Sequence, residues 1–482
     1  MINIRPVLFV TGALLTILAA FMFVPAMADA AVGSPDWRVF VAAAFFTLFV
    51  GVTLVLMNHG GSMRLNVRQT FLLTTSVWIV MAAFAALPFA FAELELTYTD
   101  AFFESMSGLT TTGSTVIIGL DYAPPGILLW RALLQWLGGI GIIVMAIAIL
   151  PMLGVGGMQL FRTESSDQTE KALPRATQVS AVVAIIYLLL TMAAAIAYWS
   201  AGMTPFEAIC HAMTTIATAG FSTSDASIGH FQSPAIEWTA TAFMIIGSIP
   251  FLLYFHFVSG RRKALWRDAQ VRWFLALLFV AVAVMIGWLW LVREVPPLTA
   301  LRYAAFNTVS VITGTGYAST DYGAWGGFAV TMLLFIMIIG GCSGSTTGGI
   351  KIFRFQMLYA MIMVQIKRLL LPHGVFVAQY NHKPIPDPVA DAVMSFFFLF
   401  GLTYGLVAVL LAALGLDFMT AMSGAASALA NVGPGLGDII GPSGTYAPLP
   451  DAAKWLLSIA MLLGRLEFFT VLALFTARFW QG

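Results

Sequence analysis

Apolar runs of about membrane-spanning length recur along this chain and constrain its fold more than any other feature. A transmembrane helix needs roughly 20 apolar residues. Runs of this kind lie near residues 6–27, 38–57, 70–92, 126–150, 179–200, 235–258, 272–292, 327–371 (interrupted), 389–412 and 450–478. Only 9% of the residues are charged, whereas about a quarter are charged in soluble proteins. The sequence therefore predicts an all-α polytopic membrane protein.

The last eight runs form four pairs, and each pair encloses a shorter apolar segment followed by a glycine-centred loop. The short segments lie near residues 99–110, 204–217, 299–312 and 417–430. The central glycines are Gly113, Gly220, Gly316 and Gly433, and a hydroxyl residue precedes each by six positions: Ser107, Thr214, Ser310 and Ser427. A period close to 100 residues indicates internal repetition.

The repeat predicts four helix–pore-loop–helix units in a pseudo-four-fold arrangement, after an N-terminal two-helix hairpin. The predicted boundaries are 1–62 for the hairpin, then 63–165, 166–264, 265–378 and 379–482 for the repeats, the third with an interrupted second helix. Non-helical backbone at membrane depth is tolerated only inside protein or beside a water-filled cavity. We therefore expect the four loops to meet around one such cavity.

The first apolar run has two interpretations. Arg5, the run to Val24 and the small residues Ala26 and Ala28 resemble a cleaved secretory signal. The run is nearer a full span, however, and a second span follows closely, which favours a retained first helix. Most Lys and Arg residues, among them Lys351 and Arg354, fall on one predicted side. The positive-inside rule then places both termini in the cytoplasm, and the half-helices enter from outside.

The glycine loops have the chemistry of a monovalent cation site. Such an ion exchanges its water shell for oxygens, and rings of backbone carbonyls supply these in potassium channels. Glycine allows the positive φ that turns successive carbonyls toward an axis. The candidate potassium-binding residues, acting mainly through main-chain carbonyls, are Thr111, Thr112, Gly113, Thr218, Ala219, Gly220, Gly314, Thr315, Gly316, Asn431, Val432 and Gly433. Glu104, His211 and Asn307 occupy matching half-helix positions, and we expect them to buttress the loops.

A second glycine-rich segment interrupts the eighth run. It contains Gly340, Gly341, Cys342, Ser343, Gly344, Ser345, Thr346, Thr347, Gly348 and Gly349, and so many glycine and hydroxyl residues do not sustain a helix. A flexible, bistable segment is what a gate requires. Arg465 lies deep in the last run. A charge there is costly, so we expect it to face the interior and to pair with Glu467 or with loop carbonyls. Otherwise Glu467 is expected to pair with a neighbouring helix or across subunits.

The four loops and the interrupted span resemble those of the Trk/Ktr/HKT superfamily of potassium transporters. The most specific segments are 110–114, 218–221, 312–317, 430–434 and 340–349, and the hairpin and length are most similar to bacterial TrkH potassium uptake subunits. The resemblance implies a single-file potassium path in the bacterial inner membrane, with the four glycines in its filter. It also implies that the loop at 340–349 blocks the pore and that the arginine at position 465 reaches into the pore beside it.

The same resemblance implies a homodimer and a cytoplasmic ring of nucleotide-binding regulators of the TrkA type. The chain has neither a Gly-x-Gly-x-x-Gly unit nor a phosphate-binding Gly-x-x-x-x-Gly-Lys motif, so we expect no organic cofactor in it and nucleotide control through a partner. Potassium is the only ion implied. Membrane lipid is an expected partner of the basic run 261–267, and the net charge of +1 gives no reason to expect nucleic acid.

Two other function classes stay open at this point. The segment Gly341-Cys-Ser-Gly344 fits the nucleophile motif of an intramembrane serine protease, which also requires a histidine base close to the serine. An ion-coupled symporter, driven by protons or sodium, is the second alternative, although broken-helix symporters usually contain inverted repeats.

Overall fold

The structure is a computed structural model and describes residues 3–60, 65–148, 176–381 and 383–481. The chain begins with a helical hairpin of α1 (Arg5–Val32) and α2 (Trp37–Met57). The two helices approach closely at Gly12 and Gly51. A Cβ built on Gly12 would lie only 2.7 Å from the Gly51 carbonyl oxygen. The Asp29 carboxylate, on α1, accepts a hydrogen bond of 2.6 Å from the amide of Gly126 in the next unit. The hairpin is therefore bonded to the first of the units that follow it.

Four similar units follow the hairpin. The first contains α3 (Val67–Phe91), α4 (Tyr98–Leu109) and α5 (Pro125–Ala148). The second contains α6 (Ala176–Ser200), α7 (Pro205–Ile216), α8 (Pro234–Gly247), α9 (Phe251–Val258) and α10 (Lys263–Arg267). The third contains α11 (Ala269–Leu291), α12 (Pro297–Ile312), α13 (Gly327–Met337) and α14 (Ile352–Leu370). The fourth contains α15 (Asp387–Ala413), α16 (Phe418–Ala430), α17 (Asp451–Leu466), α18 (Phe468–Leu472) and α19 (Ala477–Trp480).

The described chain contains very little β-structure. A two-stranded antiparallel pair, β1 (Gln379–Tyr380) and β2 (Lys383–Pro384), lies between α14 and α15. Short 3-10 helices span Leu120–Tyr122, Ser227–Phe231, Tyr322–Trp325 and Ala473–Phe475. The predicted all-α class and the four repeats with an N-terminal hairpin are confirmed. Two predicted boundaries, 62/63 and 165/166, lie outside the described residues, and the domain boundaries as a whole remain predictions.

The four half-helices are α4, α7, α12 and α16. Side chains cap three of them: Thr97, Thr204 and Asp417 accept hydrogen bonds from the third residue of their helices, which satisfies otherwise unpaired amides. The fourth begins at Pro297 without a side-chain cap, as proline's fixed φ allows at a helix start. All four end in largely buried backbone, so their short length is set by the loop that follows.

Two predicted spans, 235–258 and 450–478, are wrong as continuous helices. In the second unit α8 and α9 meet at 92°, and in the fourth α17 and the 468–475 segment meet at 112°. Pro250 explains the first bend, because it has no amide proton and disfavours helix at the residue before it. At the second bend Glu467 adopts a left-handed φ of 67°. The interruption predicted in the third unit is confirmed, between α13 and α14.

Within the described residues, seven helices are long and apolar enough to cross a membrane, or as many as nine if each bent pair counts as one span. The protein is therefore a multi-span membrane protein. The half-helices lie among these spans and are buried by them, which sets their loops deep inside the molecule.

Candidate functional site: four loops and the segment beneath them

The four glycine loops share one backbone conformation. Each central glycine has a positive φ, and so has the residue two positions before it. The glycines have φ values of 87° (Gly113), 77° (Gly220), 80° (Gly316) and 108° (Gly433). The preceding residues have values of 54° (Thr111), 48° (Thr218), 68° (Gly314) and 54° (Asn431). Non-glycine residues rarely adopt this region, so its recurrence at one register reflects a common structure.

A common main-chain hydrogen bond fixes each loop to its half-helix. The residue before each glycine donates its amide to the carbonyl of the hydroxyl residue identified in the sequence. These bonds join Thr112 to Ser107 at 2.8 Å, Ala219 to Thr214 at 2.9 Å, Thr315 to Ser310 at 2.9 Å and Val432 to Ser427 at 3.0 Å. The hydroxyl groups themselves act differently. Ser310 donates to the Tyr317 carbonyl and Ser427 to that of Gly433. The common contact is thus made by the main chain.

The loops touch in a closed ring. A Cβ built on each glycine would meet the carbonyl oxygen of the residue before the glycine in the next loop. Gly113 faces Ala219, Gly220 faces Thr315, Gly316 faces Val432, and Gly433 faces Thr112 at 2.8 Å. The first three contacts are closer still, and all involve backbone, which cannot move aside. These glycines are required because any side chain would break the ring.

Most main-chain carbonyls of the twelve candidate ion-binding residues accept no hydrogen bond from the part of the chain that the structure describes. Within the described residues, only two of the twelve accept a hydrogen bond. The Ala219 oxygen accepts one from Gln135 Nε2 at 2.7 Å. The Gly433 oxygen accepts bonds from Ser114, Ser427 and Tyr446, each at 2.8 Å. Buried carbonyls normally have partners, so the other ten are suited to water or a cation. Ala219 and Gly433 fit the predicted coordinating role least.

Three half-helix side chains support the loops from behind, as predicted. Glu104 accepts hydrogen bonds from the Val116 amide at 2.9 Å and from Arg131 Nε at 2.8 Å. His211 contacts the Ser222 hydroxyl at 2.9 Å, and Asn307 donates to the Ser319 hydroxyl at 2.9 Å.

The fourth unit has glycine at the equivalent position. Here Ser423, one residue earlier, accepts a hydrogen bond from the Leu436 amide at 2.8 Å. The support is therefore built differently in each unit, and sequence comparison of the four repeats alone did not reveal the serine.

The segment 340–349 is held by the bend of the second unit. The Cys342 amide donates to the Ser248 carbonyl at 3.1 Å, and the Phe251 amide donates to the Gly344 carbonyl at 3.0 Å. Its own ends pair as well, since the Gly340 amide donates to Ile350 at 2.9 Å. The break between α8 and α9 frees the carbonyls and amides that bind the segment. No sequence motif indicates this partnership.

The same segment packs against the ends of two half-helices. The Thr346 hydroxyl lies 3.0 Å from the carbonyl oxygen of Ile216, the last residue of α7, and 3.0 Å from the Thr218 hydroxyl. A Cβ on Gly348 would collide with the carbonyl of Ala430, the last residue of α16. The candidate gate residues and the candidate filter residues are therefore in direct contact.

Arg465 contacts this segment and is almost fully buried, at 4% exposure. Its Nη1 donates to the Thr346 carbonyl at 2.9 Å, so its partner is a loop carbonyl and not Glu467. Nε and Nη2 have no hydrogen-bond partner within the described residues. Arg465 also lines a cavity of about 30 Å³, large enough for a water molecule. The cavity is lined by Ile142, Ser343, Gly344, Ser345, Thr347, Gly348, Gly349, Lys351, Gly464, Arg465 and Glu467.

Two further cations, Lys351 and Arg354, lie beside the segment. Lys351 Nζ donates to the carbonyl of Thr347 and lies 3.2 Å from its hydroxyl. Arg354 is fully buried and pairs with Glu467 at 2.6 Å. The pairing of Glu467 with a neighbouring helix, expected as one of two possibilities, is confirmed. Three cations and the Glu467 carboxylate thus lie beside the segment. The position of Lys351, directly after the glycine run, was the signal that could have placed it here.

Comparisons with known proteins agree with this architecture. The sequence model of the TrkH family, described as "Cation transport protein", matches residues 37–482. The chain is 46% identical over 477 residues to the Trk system potassium uptake protein TrkI of Halomonas elongata, with 99% of this chain and 97% of the relative covered. It is 39% identical over 484 residues to the Trk system potassium uptake protein TrkH of Escherichia coli strain K12, with 99% and 100% covered.

A solved structure is also similar over the whole chain. The crystal structure of the potassium transporter TrkH from Vibrio parahaemolyticus superposes with a TM-score of 0.92 at 39% identity, covering 99% of this chain and 100% of that one. Fold and sequence therefore point to the same relatives. The chain belongs to the TrkH family of cation transport proteins.

Proposed function

We propose that this protein takes up potassium across the bacterial inner membrane through a single-file path lined by the four glycine loops. The observation that carries the proposal is the closed ring of glycine-to-carbonyl contacts, with ten loop carbonyls that accept no hydrogen bond within the described residues. Desolvated potassium needs such oxygens. Relatives named as potassium uptake proteins support the choice of ion. Membership in a transporter family removes the intramembrane serine protease alternative.

The segment 340–349 acts in this proposal as the gate. It packs directly on the ends of two half-helices. Arg465, Lys351 and Arg354 lie beside it, and Arg354 pairs with Glu467. Excess positive charge in a low-dielectric site opposes the passage of a cation. The contact between Arg465 and Thr346 holds the segment in the described position, which is the closed one.

The proposed assembly is a homodimer with both termini in the cytoplasm, regulated by a TrkA-type nucleotide-binding ring. Relatives named as members of the Trk system support the regulatory ring. The exposed cations Arg261, Arg262, Lys263 and Arg267 lie in the connection between α9 and α11. A connection of this charge is suited to the cytoplasmic side, where it would face anionic lipid or the regulator.

The test is ion flux in liposomes that contain the purified protein. A potassium gradient should drive a current that reverses near the potassium potential, with potassium and rubidium passing better than sodium. Reversal that shifts with an imposed proton or sodium gradient would favour the coupled symporter instead. Equal permeation of the three ions would contradict the filter. Repeating the measurement with the regulator and either NAD or ATP tests the partner, and liposomes without protein give the background.

A further inference from the structure

An apolar groove lies between α2 and α3. Its volume is about 680 Å³, and its lining residues are Arg38, Val39, Ala42, Ala43, Phe46, Leu87 and Phe91. Phe46 and Phe91 are more than half exposed, so the groove opens toward the side of the molecule that faces the bilayer. Apart from the arginine its walls offer only hydrocarbon and aromatic surface, which suits an acyl chain rather than a water-soluble ligand.

The position of the groove relative to the membrane follows from the helix ends. The Asp36 carboxylate, at the start of α2, accepts a hydrogen bond of 3.3 Å from the Glu93 amide, just after the end of α3. The half-helix α4 begins a few residues later. The groove therefore lies on the side of the membrane from which the half-helices enter. Trp37, 38% exposed, is an aromatic residue of the kind that marks the headgroup level.

Arg38 stands at the rim of the groove and differs from the other cations on this side. Arg131 pairs with a buried carboxylate at 2.8 Å, Arg302 with another at 3.5 Å, and Lys454 with a third at 2.5 Å. Arg293 donates to a main-chain carbonyl at 3.1 Å. Within the described residues the Arg38 guanidinium has neither an ion pair nor a hydrogen bond, and it lies 5.6 Å from the centroid of the Trp37 ring.

We propose that this groove binds one anionic phospholipid of the leaflet that it faces, with an acyl chain between α2 and α3 and the phosphate on Arg38. A guanidinium presents a planar fork of donors that matches phosphate oxygens. Arg38 needs only the phosphate for this contact, so the headgroup does not have to carry a second anionic group. Charge selects the anionic lipid over the zwitterionic one, because the zwitterionic headgroup carries its own cation beside the phosphate. The apolar walls hold the chain whatever the headgroup.

Native mass spectrometry of the purified full-length protein, incubated with equal amounts of phosphatidylglycerol and phosphatidylethanolamine, tests the site. The wild type should retain phosphatidylglycerol preferentially, by about fivefold, the factor expected for one basic residue near a lipid surface. Arg38→Gln should abolish the preference but keep the bound lipid. Ala42→Trp, which fills the groove, should remove both. Arg293→Gln and Leu402→Trp, an exposed residue of another helix, are matched controls and should behave as wild type.

An unchanged preference in Arg38→Gln, or unchanged lipid retention in Ala42→Trp, would overturn the proposal. So would efficient cross-linking of two chains through Ala42→Cys in membranes, since that would make the groove an interface between copies. The two native cysteines, Cys210 and Cys342, are buried and do not confuse this result. Wild-type thermal unfolding and potassium flux in each variant show that the protein is folded, so a negative result counts against the lipid site alone.

Discussion

Replacing Arg465 with alanine is the sharpest test of the gate. The substitution removes the 2.9 Å hydrogen bond from Nη1 to the Thr346 carbonyl and takes a positive charge out of the cavity below the loops. A hydrogen bond from a charged group contributes about 1.5–3 kcal/mol. If that bond stabilises only the closed position of segment 340–349, the ratio of open to closed rises roughly 10- to 150-fold. Potassium flux should increase by up to this factor, until most molecules are open.

Rubidium uptake into liposomes, normalised to the amount of inserted protein, measures the effect. Arg465→Gln separates its two components, because glutamine can still donate a hydrogen bond but carries no charge. Arg293→Ala is the control: this arginine also donates to a carbonyl, at 3.1 Å, but is exposed. Unchanged or reduced flux in Arg465→Ala, with normal thermal stability and membrane content, would refute the gating role of the arginine.

Three other substitutions test the filter and its support. Gly316→Ala places a Cβ against the carbonyl of the next loop, and we expect loss of potassium flux and of discrimination against sodium. The control Gly401→Ala, whose Cβ meets open space on α15, should change neither property. Equal effects of the two substitutions would contradict the ring. Glu104→Gln leaves the buried guanidinium of Arg131 without its carboxylate at 2.8 Å. The free energy of unfolding should fall by about 3–5 kcal/mol, which would appear as a lower unfolding temperature. A wild-type melting curve would show that the pair is dispensable. Gly464→Ala directs a Cβ into the carbonyl of Leu429, near the end of α16, so we expect little folded protein in size-exclusion chromatography; a monodisperse peak of wild-type yield would argue against this tight packing.

The close approach of Gly464 to the end of a half-helix has counterparts in the first and second units. A Cβ on Gly138 would collide with the carbonyl of Leu109, and a Cβ on Gly247 would lie 3.1 Å from that of Ile216. The second helix of these units thus packs with a glycine against the end of its half-helix. In the third unit the helix is absent at this level, and Gly340 faces Gly348 within the broken segment. Segment 340–349 packs instead on the ends of the half-helices of the second and fourth units.

Much of this architecture is readable from local sequence, because its causes are local. Hydrophobic runs predict spans, a repeated glycine register predicts the loops, and ten residues rich in glycine and hydroxyl groups predict the break in the third unit. The matching positions of Glu104, His211 and Asn307 predict support for the loops, and the structure places all three there. Each inference depends on a residue type whose conformational or solvation preference is strong wherever it stands.

The sequence is sufficient to predict the class of protein, the repeat, and the residues that must bring carbonyls together at membrane depth. The contacts between distant residues are visible only in the folded protein. They are the 92° bend that holds segment 340–349, the pairing of Arg354 with Glu467, and the loop carbonyl that Arg465 contacts. These partners lie about 100 residues or more apart in the chain. Their pairing depends on how separately formed helices pack, and in an apolar interior each buried charge binds whichever partner that packing brings within reach.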